Sequence, residues 1–260
     1  MPICQDQFYR RIVQLYQQGR IDVAAQTLEA ALDDDNTNGP LWELMGVLHA
    51  ARRRFPQAIG ALETATTLVP LTPLGQCVLA NCYARTGHPD IAHQIYTYLL
   101  SHSDLPGELF PAIAKGFGHL GDPAMALEAC RRAAEREIDR GESLFGMAYY
   151  MSRLHYPAEW IISVLRQAVQ LDPNCFQYRI ALAALLQKQN QLLEAYEVLA
   201  RLSCDDLRAV DCVPCLARMR TVFETFGDRQ RADVCQEQLE KTPVLTLQFR
   251  LFRSHFVAGK

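Results

Sequence analysis

Residues 39–72 read GPLWELMGVLHAARRRFPQAIGALETATTLVPLT, two apolar periodicities separated by a short basic turn. Leu41, Leu44, Met45 and Leu48 recur at the spacing of one helical face, and Ile59, Leu62, Ala65 and Thr66 do so after the turn. Pro70 closes the second run, because proline cannot continue a helix. The stretch reads as a helical hairpin. Ala58 marks its closest approach, where a larger side chain would push the two helices apart.

The hairpin recurs along the chain. Steps of 34 residues connect Ala24, Ala58, Ala92 and Ala126; one extra residue then leads to Ile161, a further 34 to Ala195, and 37 to Ala232. Four residues after these positions come Leu28, Leu62, Tyr96, Cys130, Leu165, Leu199 and, as an exception, Gln236. Five residues before them lie Gly19, Gly87, Gly121 and Gly227, with Arg53, Tyr156 and Asn190 as substitutes. Glycine suits that place because it adopts the left-handed conformation that ends a helix. The units open with Phe8, Trp42, Phe110 or Phe145, and weakly with Gln76, Arg179 and Leu216. Rows that move in phase define a true repeat. The units fall at about 5–38, 39–72, 73–106, 107–140, 142–175, 176–209 and 213–246, leaving a tail at 247–260.

Trp42, Met45, Gly46, Ala58, Leu62, Ala65 and Pro70 occupy signature places of the tetratricopeptide repeat, and the chain resembles that family over about residues 5–246. The resemblance is strong in the first four units, good in the sixth, and degenerate in the fifth and seventh. It implies an all-α fold, a right-handed superhelical α-solenoid of about seven helical hairpins, whose first helices line a concave surface. That surface is the family's default seat for an extended peptide or a partner's helix. No single hairpin buries its apolar face alone, so neighbouring units must stack.

Phase then selects the groove residues, as the first-helix positions that the core rows leave outward. One row runs Val13, Val47, Asn81, Lys115, Tyr150, Ala184, Thr221, and one turn on runs Gln17, Ala51, Arg85, His119, Leu154, Lys188, Thr225. Its middle offers Asn81, Arg85, Lys115, His119, Tyr150 and the nearby Arg153, an amide and several cations suited to a backbone amide and a carboxylate of a partner. Some relatives clamp a C-terminal carboxylate with lysines, asparagines and an arginine from successive units. Asn81 and Arg85 fall at suitable places for that clamp, but Cys77, Ala112, Ser143 and Met147 stand elsewhere in it, so chaperone-tail binding is not expected.

Composition narrows the remaining classes. Of 260 residues 49% are hydrophobic and 21% charged, with a formal net charge of −3, which is unlike a nucleic-acid binder. No apolar run is long enough to span a bilayer and no secretory signal is visible, so a cytoplasmic protein is expected. The nine cysteines, an odd number, read as reduced packing thiols. Cys212 and Cys215 stand apart as a C-x-x-C pair at the opening of the seventh unit, the one pattern compatible with a metal or redox role. No cofactor is expected, and no catalytic motif or phosphate-binding loop is present, so no enzymatic activity is expected. The stretch VLTLQFRLF alternates Leu245, Leu247, Phe249 and Leu251 with polar residues and belongs to a tail without acids; it caps the solenoid, or docks on a partner or a second copy. The sequence therefore describes a non-catalytic scaffold or adaptor for proteins, with an acidic segment as the suited ligand. Two alternatives remain: a metal-binding or redox-sensing subunit using Cys212 and Cys215, and an accessory subunit held in an obligate complex through its tail.

Overall fold

The computed structural model describes residues 2–241. These form fifteen α-helices and no strand. The chain divides into two compact units at Ala129 and Cys130, inside the eighth helix. The alternating tail, residues 242–260, lies outside the described residues.

Unit 1 contains α1 (Pro2–Gln17), α2 (Ile21–Asp34), α3 (Gly39–Ala51), α4 (Phe55–Leu68), α5 (Pro73–Arg85), α6 (Pro89–Ser101), α7 (Phe110–His119) and the start of α8 (Pro123–Glu135). Starts of first helices are specified locally. Asn38 accepts the N–H of Leu41 at 3.3 Å, Thr72 accepts that of Gly75 at 3.1 Å, and a proline follows each in the first turn. The second helices depend more on packing. In α4, Gly60 and three threonines together cost about 2 kcal/mol of helix propensity relative to alanine. Burial of Leu62 alone returns about 1.5–3 kcal/mol, and Ala58, Ala61 and Ala65 are buried beside it. Packing decides. Thr66, which the periodicity placed on the apolar face, is exposed and donates its hydroxyl to the Glu63 carbonyl at 2.6 Å.

The first helices α3, α5 and α7 pack side by side, and α3 and α5 each pack on the following second helix. The small residues allow this closeness. A Cβ added at Gly46 would lie 2.4 Å from Cγ of Leu62, and one at Gly116 2.5 Å from the Tyr96 ring.

Unit 2 contains the rest of α8, then α9 (Arg140–Arg153), α10 (Ala158–Leu171), α11 (Phe176–Lys188), α12 (Leu192–Leu199), α13 (Cys204–Arg208), α14 (Val213–Thr225) and α15 (Arg229–Lys241). α11 is the most enclosed helix, with nine consecutive buried residues from Tyr178 to Leu186, packed against α10, α12 and α14. Arg179 is among them; its guanidinium donates twice to the Pro173 carbonyl, at 2.9 and 2.8 Å. The long step from Ala195 to Ala232 has a structural cause in α13. That helix is closed by Ser203 and Asp206, each accepting the other's backbone N–H, at 3.1 and 2.8 Å.

The turns between hairpin helices share one hydrogen-bond pattern. Arg20, Arg54, His88, Asp122, Tyr156, Gln191 and Asp228 each donate a backbone N–H to the carbonyl five residues back, at 2.9 to 3.0 Å. The residue before each takes a positive φ: Gly19, Arg53, Gly87, Gly121, His155, Asn190 and Gly227. This corrects the glycine row at one point. The left-handed residue of the fifth hairpin is His155, not Tyr156, so the extra residue lies after the first helix and not before it. Tyr156 is that extra residue, and Pro157 then becomes the N-cap of α10.

Candidate functional site

In unit 1, Asn81 and Arg85 stand one turn apart at the end of α5, and Lys115 and His119 stand in the same relation at the end of α7. Each pair precedes its turn glycine by the same six and two residues, Gly87 and Gly121 respectively. Their outward direction is fixed by their neighbours. Leu79, Ala80 and Cys82 are buried around Asn81, and Ala114, Gly116 and Phe117 around Lys115, while all four polar residues are exposed. α5 and α7 pack side by side, and the charges of Arg85 and Lys115 both reach His119.

The electrostatics of these residues are cationic. Burial, then the Arg85 and Lys115 charges, push the pKa of His119 below the usual imidazole range. No acidic side chain pairs with Arg85 or Lys115 among the described residues. Arg85 also sits in a last helical turn, where the helix dipole favours positive charge, so the fold tolerates it without a paired acid among the described residues. Two permanent cations beside an amide offer a carboxylate and a peptide group what each needs: charge-assisted donors, and a donor with an acceptor.

Unit 2 holds the other two residues selected by phase, and one of them is displaced. Tyr150 is buried, 8% exposed, and burial, then Cys130 and Tyr149, raise its hydroxyl pKa. It is a core residue and not a groove residue. The physical reason is the misplaced extra residue: since the insertion follows α9, the first helix keeps the 34-residue step, and Lys115 corresponds to Tyr149. Arg153 is exposed one turn further on and donates to the Tyr149 hydroxyl at 3.3 Å. Counting from the left-handed turn residue, rather than from the small residue of the second helix, would have found Tyr149 in the sequence.

The cysteines separate into two kinds. Cys77 and Cys130 are buried and their thiols are pushed up to about 12; Cys82 and Cys235 are buried and pushed up to about 11. These fit the reading as packing thiols. Cys212 and Cys215 do not. They are joined by a disulfide across the start of α14, with Cα atoms 5.2 Å apart, inside the range such a bond requires. The C-x-x-C spacing over a helix start places the two side chains on the same side of the first turn, and this overrides the expectation of reduced thiols for this pair. Among the described residues, no three histidines, cysteines or acids converge in a geometry that can hold a metal. Nor is any described helix long and apolar enough to cross a membrane.

No family model matches the sequence, and no curated protein matches it. Solved structures do. The C-terminal part of a TPR repeat-containing protein from Cytophaga hutchinsonii superposes with a TM-score of 0.67 at 12% identity, covering 92% of this chain and 98% of that one. The pilF protein of Pseudomonas aeruginosa gives 0.60 at 15% identity, covering 85% and 98%. YrrB, described as a TPR protein with an unusual peptide-binding site, gives 0.55 at 15% identity, covering 68% and 94%. At these identities the likeness is one of fold.

Proposed function

We propose that this chain, whose fold is that of tetratricopeptide-repeat proteins, is a protein-interaction scaffold that holds a carboxylate-bearing segment of a partner against the α5 and α7 face of unit 1. The observation that carries this reading is the exposed set Asn81, Arg85, Lys115 and His119 on two packed helices, with no acid among the described residues paired to Arg85 or Lys115. The unusual peptide-binding site of YrrB supports it by analogy of fold. In this arrangement Arg85 and Lys115 bind the carboxylate, while Asn81 donates to a backbone carbonyl and accepts a backbone N–H of the extended segment.

The test is a tagged pull-down from the native cell, read by mass spectrometry, of the wild-type chain beside the R85E/K115E double variant. Both side chains are exposed, so the variant is expected to keep its circular dichroism spectrum. A partner retained by the wild type and lost from the variant supports the site. A partner retained equally by both keeps the scaffold and removes this face from it.

A further inference from the structure

Cys212 is the N-cap of α14, and its sulfur accepts the backbone N–H of Cys215 at 3.3 Å. It is half-buried, whereas Cys215, one turn into the helix, is buried. The pair is therefore asymmetric: one cysteine is half-buried at the positive end of a thirteen-residue helix, and its partner is buried within that helix's first turn. Pro214 sits within the first turn, where its missing N–H leaves no hydrogen bond unmade and its ring stiffens the two-residue bridge.

Cys215 also lines a shallow concavity between α11, α12 and α14, together with Ala183, Ala184, Leu199, Arg218 and Met219. Small and apolar residues form most of its wall, with Gln187 and Arg218 as its polar members. No other described cysteine offers this combination. Four of the six free ones are buried and held as neutral thiols.

We propose that Cys212 and Cys215 form a thiol–disulfide exchange site, with disulfides small enough to reach the half-buried Cys212 as its substrate class. In the reduced chain the Cys212 thiolate is stabilised by the N-terminal N–H groups and the dipole of α14. It attacks one sulfur of the substrate disulfide. The Cys212–substrate S–S bond forms, the substrate S–S bond breaks, and the departing substrate thiolate takes up a proton. Cys215 then loses its proton and attacks the Cys212 sulfur, which forms the bridge seen here and releases the second substrate thiolate. Two electrons pass from the protein dithiol to the substrate. A dithiol reductant restores the site by the reverse exchange, itself becoming a disulfide.

The experiment uses the full chain, reduced with dithiothreitol, freed of reductant and exposed to oxidised glutathione at neutral pH. Samples are quenched by alkylation and mapped by mass spectrometry. Wild type is expected to re-form the Cys212–Cys215 bridge and release two reduced glutathiones per chain. Cys215→Ser is expected to retain one glutathione on Cys212, and Cys212→Ser to modify Cys215 about tenfold more slowly. Equal rates at the two cysteines would overturn the proposal. So would a wild-type bridge that resists dithiothreitol while circular dichroism shows the fold intact, a result that needs no variant to fold.

Discussion

Nε2 of His93 lies 2.9 Å from Oδ2 of Asp122, joining the middle of α6 to the residue that begins α8. Asp122 is used twice, because its other oxygen accepts the N–H of Met125 at 3.0 Å and caps α8. The His93 ring also meets Phe117 edge-on, with centroids 5.3 Å apart, so its orientation is set by packing as well as by the hydrogen bond. One carboxylate thus ends one hairpin turn and pins the preceding hairpin to it.

Replacing Asp122 by alanine removes the cap and the His93 contact together, and is expected to destabilise unit 1 by about 1–2 kcal/mol in denaturant unfolding. His93→Leu leaves the cap and is expected to cost less. Burial alone would raise the Asp122 pKa, but the hydrogen bonds from His93 and Met125 outweigh it and hold the carboxyl below its usual value of 3.8. The sign follows: a depressed carboxyl stabilises the fold above its unfolded pKa, and that contribution is lost as pH falls through the lower folded value. The D122A penalty is expected to shrink below about pH 4.

Two glycine substitutions separate space from propensity. Gly116→Ala places a methyl against the Tyr96 ring, which is 1% exposed and cannot withdraw, so a loss of about 1–3 kcal/mol is expected. Gly60, inside α4, has nothing within 4 Å of an added Cβ. Gly60→Ala is expected to raise stability by about 0.5–1 kcal/mol. Thermal unfolding of the two variants side by side checks both signs.

Arg53 and His155 hold the left-handed turn position with φ of 58° and 59°, a conformation that costs a residue with a Cβ about 1–2 kcal/mol. Arg53→Gly and His155→Gly are each expected to stabilise the chain by about 1 kcal/mol, reduced by the greater freedom of glycine in the unfolded state. Neither change touches Arg85 or Lys115, so the pull-down pattern is expected to stay that of the wild type.

What was legible in the sequence follows from periodicity. Helical hairpins, their turns and the small residues at Ala58, Ala92 and Ala126 all repeat, and these three alanines are buried where the rows placed them. Asn81, Arg85, Lys115 and His119 could be selected because core rows on either side of them were unbroken. Tyr150 could not, because a row drawn through second helices carries no information on which side of the first helix an insertion falls. The positive φ of His155 supplies that information, and histidine at a left-handed position gives little warning in sequence. The Cys212–Cys215 bond was hidden for a different reason: the same spacing serves bridge, metal and packing alike, and only the approach of the backbones chooses.

His49 and His119 both have pKa values below the usual imidazole range. For His49 burial comes first and then Arg54 and Arg52; for His119 burial comes first and then Arg85 and Lys115. Charging either in the folded chain is therefore harder than in the unfolded chain. Their contribution to stability is present above about pH 6.5 and lost as pH falls below it. Unfolding midpoints are expected to drop between pH 7 and pH 5.5, and His49→Gln/His119→Gln to flatten that slope. A bound carboxylate reverses the sign at His119 alone, so binding of an acidic peptide is expected to take up protons in calorimetry near pH 6.

The nine consecutive buried residues of α11 leave that helix no solvent-facing side through which it can fray. Amide hydrogens there can reach deuterated water only when α10, α12 and α14 are drawn away together, whereas the exposed end of α15 can open alone. Within unit 2, α11 is accordingly the segment that exchanges last, and its protection measures the cooperative stability of the hairpins around it.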